Sequence, residues 1–403
     1  MIGFDGFGKV WNGGITETEA QMPGTFDMSQ IQRGARVRRS PFFEATLRDG
    51  CWGYTVYNHM FLPIGYADLE SEHRRLLEDV TVWDVSVERQ VEIKGPDAFE
   101  FTNMLTPRDL TKCAVGQGKY VILTAEDGGL VNDPVLLRLG ENHFWLALAD
   151  SDVLLWARGI AYNSGLDVEI CEPDVSPLQV QGPKSKEVVG ALFGDEVLDL
   201  KYYWFLETEV DGIPVVVTRT GWTGEVGYEI YLRDGSRGVE LWDRVMEVGK
   251  PYNIAPTGPS DIRRIEAGIL NYGIDMTIEN NPFEVGLGWQ VNLDQAADFV
   301  GREALARIKA EGVSRILAGV EIGGDPLDLN MDRWTVLAND SRVGHITSAV
   351  FSPRLDRNIG YAMIPTENAA LGTQLRVETP AGTEEATVVE KPFVDPTKEI
   401  PKS

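Results

Sequence analysis

The segment Arg219-Thr220-Gly221-Trp222-Thr223-Gly224-Glu225-Val226-Gly227-Tyr228-Glu229-Ile230 carries glycines at 221, 224 and 227, interleaved with Trp222, Tyr228 and two acids. Glycine lets a backbone turn sharply and approach a partner closely, so a loop of this composition suits packing against a planar ligand. It also fits an ordinary bulged hairpin. A second stretch, Gly128-Gly129-Leu130-Val131-Asn132-Asp133-Pro134-Val135, delivers Asn132 and Asp133 to the mouth of an apolar strand. A carboxylate beside Val131, Val135 and Leu136 is only half solvated, which suits a site group or a buried partner. From the residues alone, a turn carboxylate capping nearby amides is the plainer reading.

Outward from these stretches the chain reads as mixed α and β. The spacing of Leu69, Leu76, Leu77 and Val80 predicts a helix over 68–80. Residues 90–94 alternate as a strand, and Gly95-Pro96-Asp97 opens a helix bearing Ala98, Phe101, Met104 and Leu105. Strands are expected over 119–124, 134–139 and 144–148. Asp211-Gly212 joins two apolar runs as a type I′ hairpin. Helices are expected over 238–248 and 260–270, the second capped by Ser260. Beyond about residue 312 six short strand-like runs at 316–322, 335–337, 343–348, 359–363, 374–378 and 385–389 predict a small barrel or sandwich. The expected division is an extension over 1–40, a two-lobed region over 41–312 and a β domain over 313–403.

Composition excludes several classes. A net charge of −25 opposes binding to phosphate backbones, and the Arg33–Arg39 stretch is short and isolated. No apolar run reaches the ~20 residues of a membrane helix, and residues 1–14 lack the basic and apolar regions of a signal peptide. Three cysteines at wide, irregular spacing form neither a disulfide framework nor a metal knuckle, so a reducing, cytoplasmic setting is expected. The four histidines lack zinc-site spacing, and no metal is expected. There is no Gly-x-Ser-x-Gly elbow, dinucleotide fingerprint or phosphate loop.

In this order the segments resemble the glycine-cleavage T-protein (aminomethyltransferase) family. The matching blocks include Val82-Trp83-Asp84-Val85-Ser86, Leu105-Thr106-Pro107-Arg108-Asp109, the Gly-Gly-x-x-x-Asp turn, Gln181-Gly182-Pro183 and the Arg-Thr-Gly-x-Thr-Gly-Glu loop. Arg264-Ile265-Glu266-Ala267-Gly268, Asn281-Pro282-Phe283-Glu284, Phe299-Val300-Gly301-Arg302-Glu303, Gly344-His345-Ile346-Thr347-Ser348 and Lys391-Pro392-Phe393 continue it. Each block is weak alone; their collinearity is strong. The departures also inform. Ser86-Val87-Glu88-Arg89 stands where the T-protein has Ser-His-Met-Gly, Ala149-Asp150 where it has Asn-Ala, and Ser260 where it has arginine. Tyr54–Met60, Trp83–Glu92 and Asn132–Leu137 instead resemble the dimethylsulfoniopropionate demethylase-like members.

The resemblance implies an α+β, three-lobed cloverleaf-like fold with tetrahydrofolate bound centrally and a C-terminal small β-barrel. It implies that Asp133 faces the N5–N10 edge of the folate as the catalytic carboxylate, and that Glu229 holds the amino-pyrimidine edge. Tyr120, Val135, Trp222 and Trp289 match positions lining the pterin. The implied activity is transfer of a methyl group from a small sulfonium donor to folate N5. Aminomethyl transfer, N- or O-demethylation and non-catalytic folate binding are the alternatives. An onium head sits well on aromatic faces, each contributing roughly 0.5–2 kcal/mol; Tyr202, Trp204 and Tyr57 are candidates, with core packing the alternative for each. The sequence leaves homo-oligomer formation open.

Overall fold

Alternation along three neighbouring strands positions the site. The computed structural model describes residues 36–403, so the 1–40 extension lies, but for its last five residues, outside the described part. In the strand Gly227–Leu232, Tyr228, Ile230 and Leu232 point into one apolar core, while Glu229 and Tyr231 point to the opposite face. Leu178 and Val180 of Ser176–Gln181, and Val215 and Val217 of Ile213–Thr218, join the same core. Gln179 and Thr218 lie directly opposite Glu229 on its two flanking strands.

These strands belong to a six-stranded sheet ordered Phe205–Val210, Ile213–Thr218, Gly227–Leu232, Ser176–Gln181, Thr81–Asp84, Ala255–Pro256. Its apolar face is covered by the helices Ser185–Phe193 and Gly238–Gly249, with Trp242 fully buried between them. The hairpin at Asp211-Gly212 forms as expected, both residues adopting positive φ (51° and 73°).

A five-stranded antiparallel sheet follows the order Glu169–Cys171, Gln90–Lys94, His143–Ala147, Val135–Gly140, Gly118–Tyr120. Helices Ala98–Met104 and Val153–Ser164 pack on one face around Phe101 and Phe144. The other face meets the six-stranded sheet: Leu137 and Trp145 pack against Phe205, Val216 and Tyr231, with the Trp145 and Tyr231 rings 6.3 Å apart. The third lobe is a closed six-stranded barrel, Arg315–Ile322, Arg357–Pro365, Ser341–Ser352, Trp334–Ala338, Gln374–Thr379, Gly382–Val389. All six runs expected after residue 312 are its strands. Ile122 and Leu130 pack with Ile262, Ile265, Val350 and Tyr361, joining the barrel to the rest.

Three local expectations need correction. Leu69 is 45% exposed; the helix Leu69–Glu78 buries Glu72, His73 and Leu76, because the Glu72 carboxylate is drawn inward to accept from the Tyr66, Ala67 and Gly258 amides. The run 119–124 breaks into Gly118–Tyr120 and Leu123–Thr124, each paired to a different partner. The helix over 260–270 is only Asp261–Glu266: Ser260 caps it as expected, but Gly268 turns left-handed (φ 70°) against Pro392.

That short helix carries the tie to the barrel. Buried Arg264 donates to Asp275 at 2.7 Å, Ser348 at 2.9 Å and Asp261 at 2.5 Å, while Asp275 also accepts from Thr347 and Ser348. Removing one partner of a buried pair strands the other. Arg264→Leu should therefore lower unfolding free energy by roughly 3–5 kcal/mol in a urea titration; a change below about 1 kcal/mol would show the pair to be dispensable.

Candidate functional site between the lobes

The Gly128-Gly129 turn sets Asp133 in place. Gly128 is left-handed (φ 90°), and a Cβ on Gly129 would stand 2.2 Å from the Ile278 carbonyl oxygen. The strand Leu130–Asn132 then leads into Asn132, whose amide donates to the Ala149 carbonyl at 3.0 Å and Ser151 Oγ at 2.8 Å and accepts from the Ala149 amide. Asn132 is thus a buried clamp, and Asp133 is left to face inward. Tyr120 lies opposite Val135 in the ladder, and its hydroxyl donates to Asp133 Oδ2 at 2.9 Å. Among the described residues, and apart from its own backbone amide, this is the carboxylate's one donor, so Asp133 does not cap the turn. Burial pushes its pKa up to about 7, against the opposing pull of the Tyr120 hydroxyl.

Glu229 is satisfied differently. Oε1 accepts from Gln179 Nε2 at 2.8 Å; Oε2 accepts from Thr220 at 2.5 Å, Tyr231 at 3.0 Å and Thr218 at 3.3 Å. Burial raises its pKa and these donors oppose the rise. Beside it, Gln179 Oε1 is buried without a donor. One edge of the row therefore holds a carboxylate oxygen with spare acceptor capacity and an orphaned amide oxygen. A ligand edge carrying two adjacent N–H groups, such as an aminopyrimidine, fits that pair.

The Arg219–Glu225 loop is shaped by protein more than by an empty slot. A Cβ on Gly221 or Gly227 would lie 2.1 or 2.2 Å from the Gln181 side-chain amide, and one on Gly224 would meet Ala267. Gln181 in turn donates to the Thr220 and Tyr228 carbonyls and accepts from Thr223. Two glycines thus make room for a buried glutamine. Trp222 is half-buried against Leu76, Trp83 and Val85, with the Arg264 guanidinium 5.6 Å from its ring centre.

The remaining candidates divide into an inner and an outer set. Tyr57 packs against Val87, and Asp133 opposes its ionisation after burial itself. Tyr202 stands edge-on to Tyr203, ring centres 4.7 Å apart, and Glu229 acts on both. Tyr120 touches Asp133 through its hydroxyl, and Val135 pairs with Tyr120 in the ladder. Trp204 is half-buried at the bridge to Gln117. Trp289 is 63% exposed beneath the Arg108 guanidinium, which also donates to the Tyr120 carbonyl.

Sequence reasoning passes over Glu88 as a site group, seeing it only as a departure from a motif. Burial, then Glu229 and then Asp133, hold its pKa well above the usual carboxylate range. The available signal is an acid set among Val85, Val87 and the buried start of a strand. Gln179, Thr218 and Tyr231 are missed too; strand register, which a single sequence does not give, brings them to Glu229.

Comparison with known proteins shows the family. Residues 43–295 match the GCVT N-terminal domain model and residues 315–395 the glycine cleavage T-protein C-terminal barrel domain. The chain is 41% identical to dimethylsulfoniopropionate demethylase DmdA of Ruegeria pomeroyi, over 90% of this chain and 99% of that one. It is 33% identical to an aminomethyltransferase of Symbiobacterium thermophilum, over 89% and 97%. The aminomethyltransferase T structure from Bartonella henselae superimposes with a TM-score of 0.79 over 89% of this chain and 98% of that one, at 24% identity, which bears on the fold alone. Among the described residues no helix is long and apolar enough to cross a membrane. With both halves matched in order, the chain belongs to the glycine cleavage T-protein family.

Proposed function

We propose that this chain is a tetrahydrofolate-dependent demethylase that moves a methyl group from a small sulfonium zwitterion, dimethylsulfoniopropionate or a close analogue, to folate N5. The observation that carries this reading is the pairing of two interior carboxylates of opposite character. Glu229 is saturated with donors on one oxygen and open on the other; Asp133 is nearly bare and titrates near neutrality. The 41% identity to a protein named for this activity supports the donor class. Unpaired thiols at Cys51, Cys113 and Cys171 suit a cytoplasmic setting.

Tetrahydrofolate, when bound, supplies the amine nitrogen that accepts the methyl group. Glu229 Oε1 and Gln179 Oε1 hold its N–H-bearing edge, with Thr218, Thr220 and Tyr231 fixing the carboxylate. A sulfonium methyl is already electrophilic. Its S–C bond breaks with the electron pair remaining on sulfur, and the leaving thioether is neutral, so no general acid is required. Asp133, as the carboxylate, offsets the positive charge that develops as the C–N bond forms and can hold the proton released there. The Tyr120 hydroxyl fixes Asp133 Oδ2. The tyrosines around this space exclude water and align the reactants at about 3 Å.

The alternative within the family is aminomethyl transfer, favoured by relatives of that name at 29–33% identity. Following 5-methyl-tetrahydrofolate with a panel of donors separates the two. Product from dimethylsulfoniopropionate supports demethylation; product only from aminomethyl, methylamine or methyl ether donors overturns it.

Asp133→Asn should lower kcat by about 10²–10³-fold with tetrahydrofolate affinity little changed. The wild-type rate should fall as pH drops through about 7, because protonation removes the carboxylate; the residual rate of the variant should lack that limb. Full turnover by the variant would remove Asp133 from the mechanism. For Glu229→Gln, tetrahydrofolate binding followed by tryptophan fluorescence should weaken by at least about tenfold, and unchanged binding would displace the pterin from this row.

A further inference from the structure

Arg219, at the start of the glycine loop, is a buried cation that the chemistry above does not use. The residue is only 5% exposed, yet among the described residues its side chain pairs with no carboxylate. Its partners are carbonyl oxygens. Nη1 donates to Leu200 at 3.1 Å, and Nη2 donates to Pro401 at 3.3 Å and to Ser403. The Tyr228 ring lies 5.6 Å away, and Nε finds no acceptor among the described residues. A buried guanidinium answered only by dipoles depends on each of them. Two of the three carbonyls come from 182 and 184 residues further along the chain.

That distant segment is anchored along its way from the barrel. Beyond the last barrel strand, Phe393 stacks on Tyr361 with ring centres 6.2 Å apart, and the Val394 amide donates to the Glu266 carbonyl at 2.9 Å. Asp395 then accepts from the Glu399 and Ile400 amides at 2.9 and 2.7 Å, which starts the short helix Glu399–Lys402. Pro401 is buried. Carbonyls at the end of a helix lack partners within it, and those of Pro401 and Ser403 take the guanidinium.

Arg219 in turn sits against the Glu229 row. Its amide donates to the Trp204 carbonyl at 2.9 Å, and its carbonyl accepts from the Tyr203 amide at 3.0 Å. Tyr203 is left-handed (φ 66°), a conformation that a tyrosine keeps only where its surroundings fix it. The next residue, Thr220, donates to Glu229 Oε2 at 2.5 Å, and its carbonyl accepts from Gln181 at 3.1 Å. We propose that residues 395–403 form a strap that, by holding Arg219, sets Thr220 against Glu229 and so governs affinity for tetrahydrofolate. Arg219 is then a positioning residue that acts through Thr220. The inference rests on the reading that the Glu229 row holds the pterin edge. Without the strap, Nη2 loses both acceptors while still shut away from water. The guanidinium must then turn towards solvent and draw the start of the loop with it. Asp133 and Tyr120, joined to each other, are not part of this chain of contacts. Loss of the strap therefore weakens folate binding and leaves the transfer step in place.

Removing residues 399–403 should weaken tetrahydrofolate binding, followed by tryptophan fluorescence, roughly tenfold. With saturating folate and dimethylsulfoniopropionate, kcat should stay within about threefold. Thr220→Val should weaken binding to a similar degree, and on that background the removal should add less than about twofold. Asp395→Ala leaves the chain length and Arg219 intact but takes away the acceptors of the Glu399 and Ile400 amides. It should weaken binding by about two- to fivefold, and it serves as the test if the shortened chain folds poorly. Unchanged affinity in the tail variants, or losses that multiply with that of Thr220→Val, would overturn the strap. A loss with Glu229→Gln and none with the tail variants sinks the strap alone; folate binding that survives Glu229→Gln sinks the reading of the row beneath it.

Discussion

Carboxylates shut away from bulk water constrain this molecule more than any other groups. Each must be answered by donors, by a partner charge or by a proton. The fold supplies all three answers within a short space. Glu229 receives four donors from three strands and a loop. Asp275 receives an arginine and two hydroxyls. Asp133 receives one phenol and relies on protonation near neutrality. Differences in supply, not in residue type, give these acids different roles.

The supply comes from the way the lobes meet. Strand alternation sends the apolar residues of each sheet under its own helices and leaves the opposite faces to confront one another through Trp145, Tyr231 and Phe205. Polar residues on those faces then have neither water nor helix to turn to, and they find each other. The barrel closes the arrangement from a third direction through Arg264 and the Ile122–Leu130 side of the Gly-Gly turn. The Glu229 row is thereby held by paired strands, with a loop contributing Thr220.

Much of this was legible in the residues. The Asp211-Gly212 hairpin, the helix opened by Gly95-Pro96-Asp97 and all six barrel strands follow from turn chemistry and periodicity. What escaped depended on distance in the chain. Nothing near residue 229 says that Gln179 and Thr218 flank Glu229, because strand pairing alone brings them there. The three glycines of the Arg219–Ile230 loop suggested room for a ligand. They serve Gln181 and Ala267, a partner that local sequence does not reveal. Likewise, the helix expected over 260–270 stops at Glu266, because the left-handed Gly268 ends it.

The order of strands in the two open sheets carries one more consequence. Each outermost strand is a row of unpaired amides and carbonyls that a stray chain could extend into an aggregate. The borders of the six-stranded sheet are poor templates. One side of the six-stranded sheet ends in Ala255–Pro256, two residues long and closed by an imino acid, and the other ends in Phe205–Val210 with Glu207 and Glu209 turned outward. The barrel, hydrogen-bonded from Gly382–Val389 back to Arg315–Ile322, offers no border at all. A proline, a pair of acids and a ring thus blunt the borders of these two β layers.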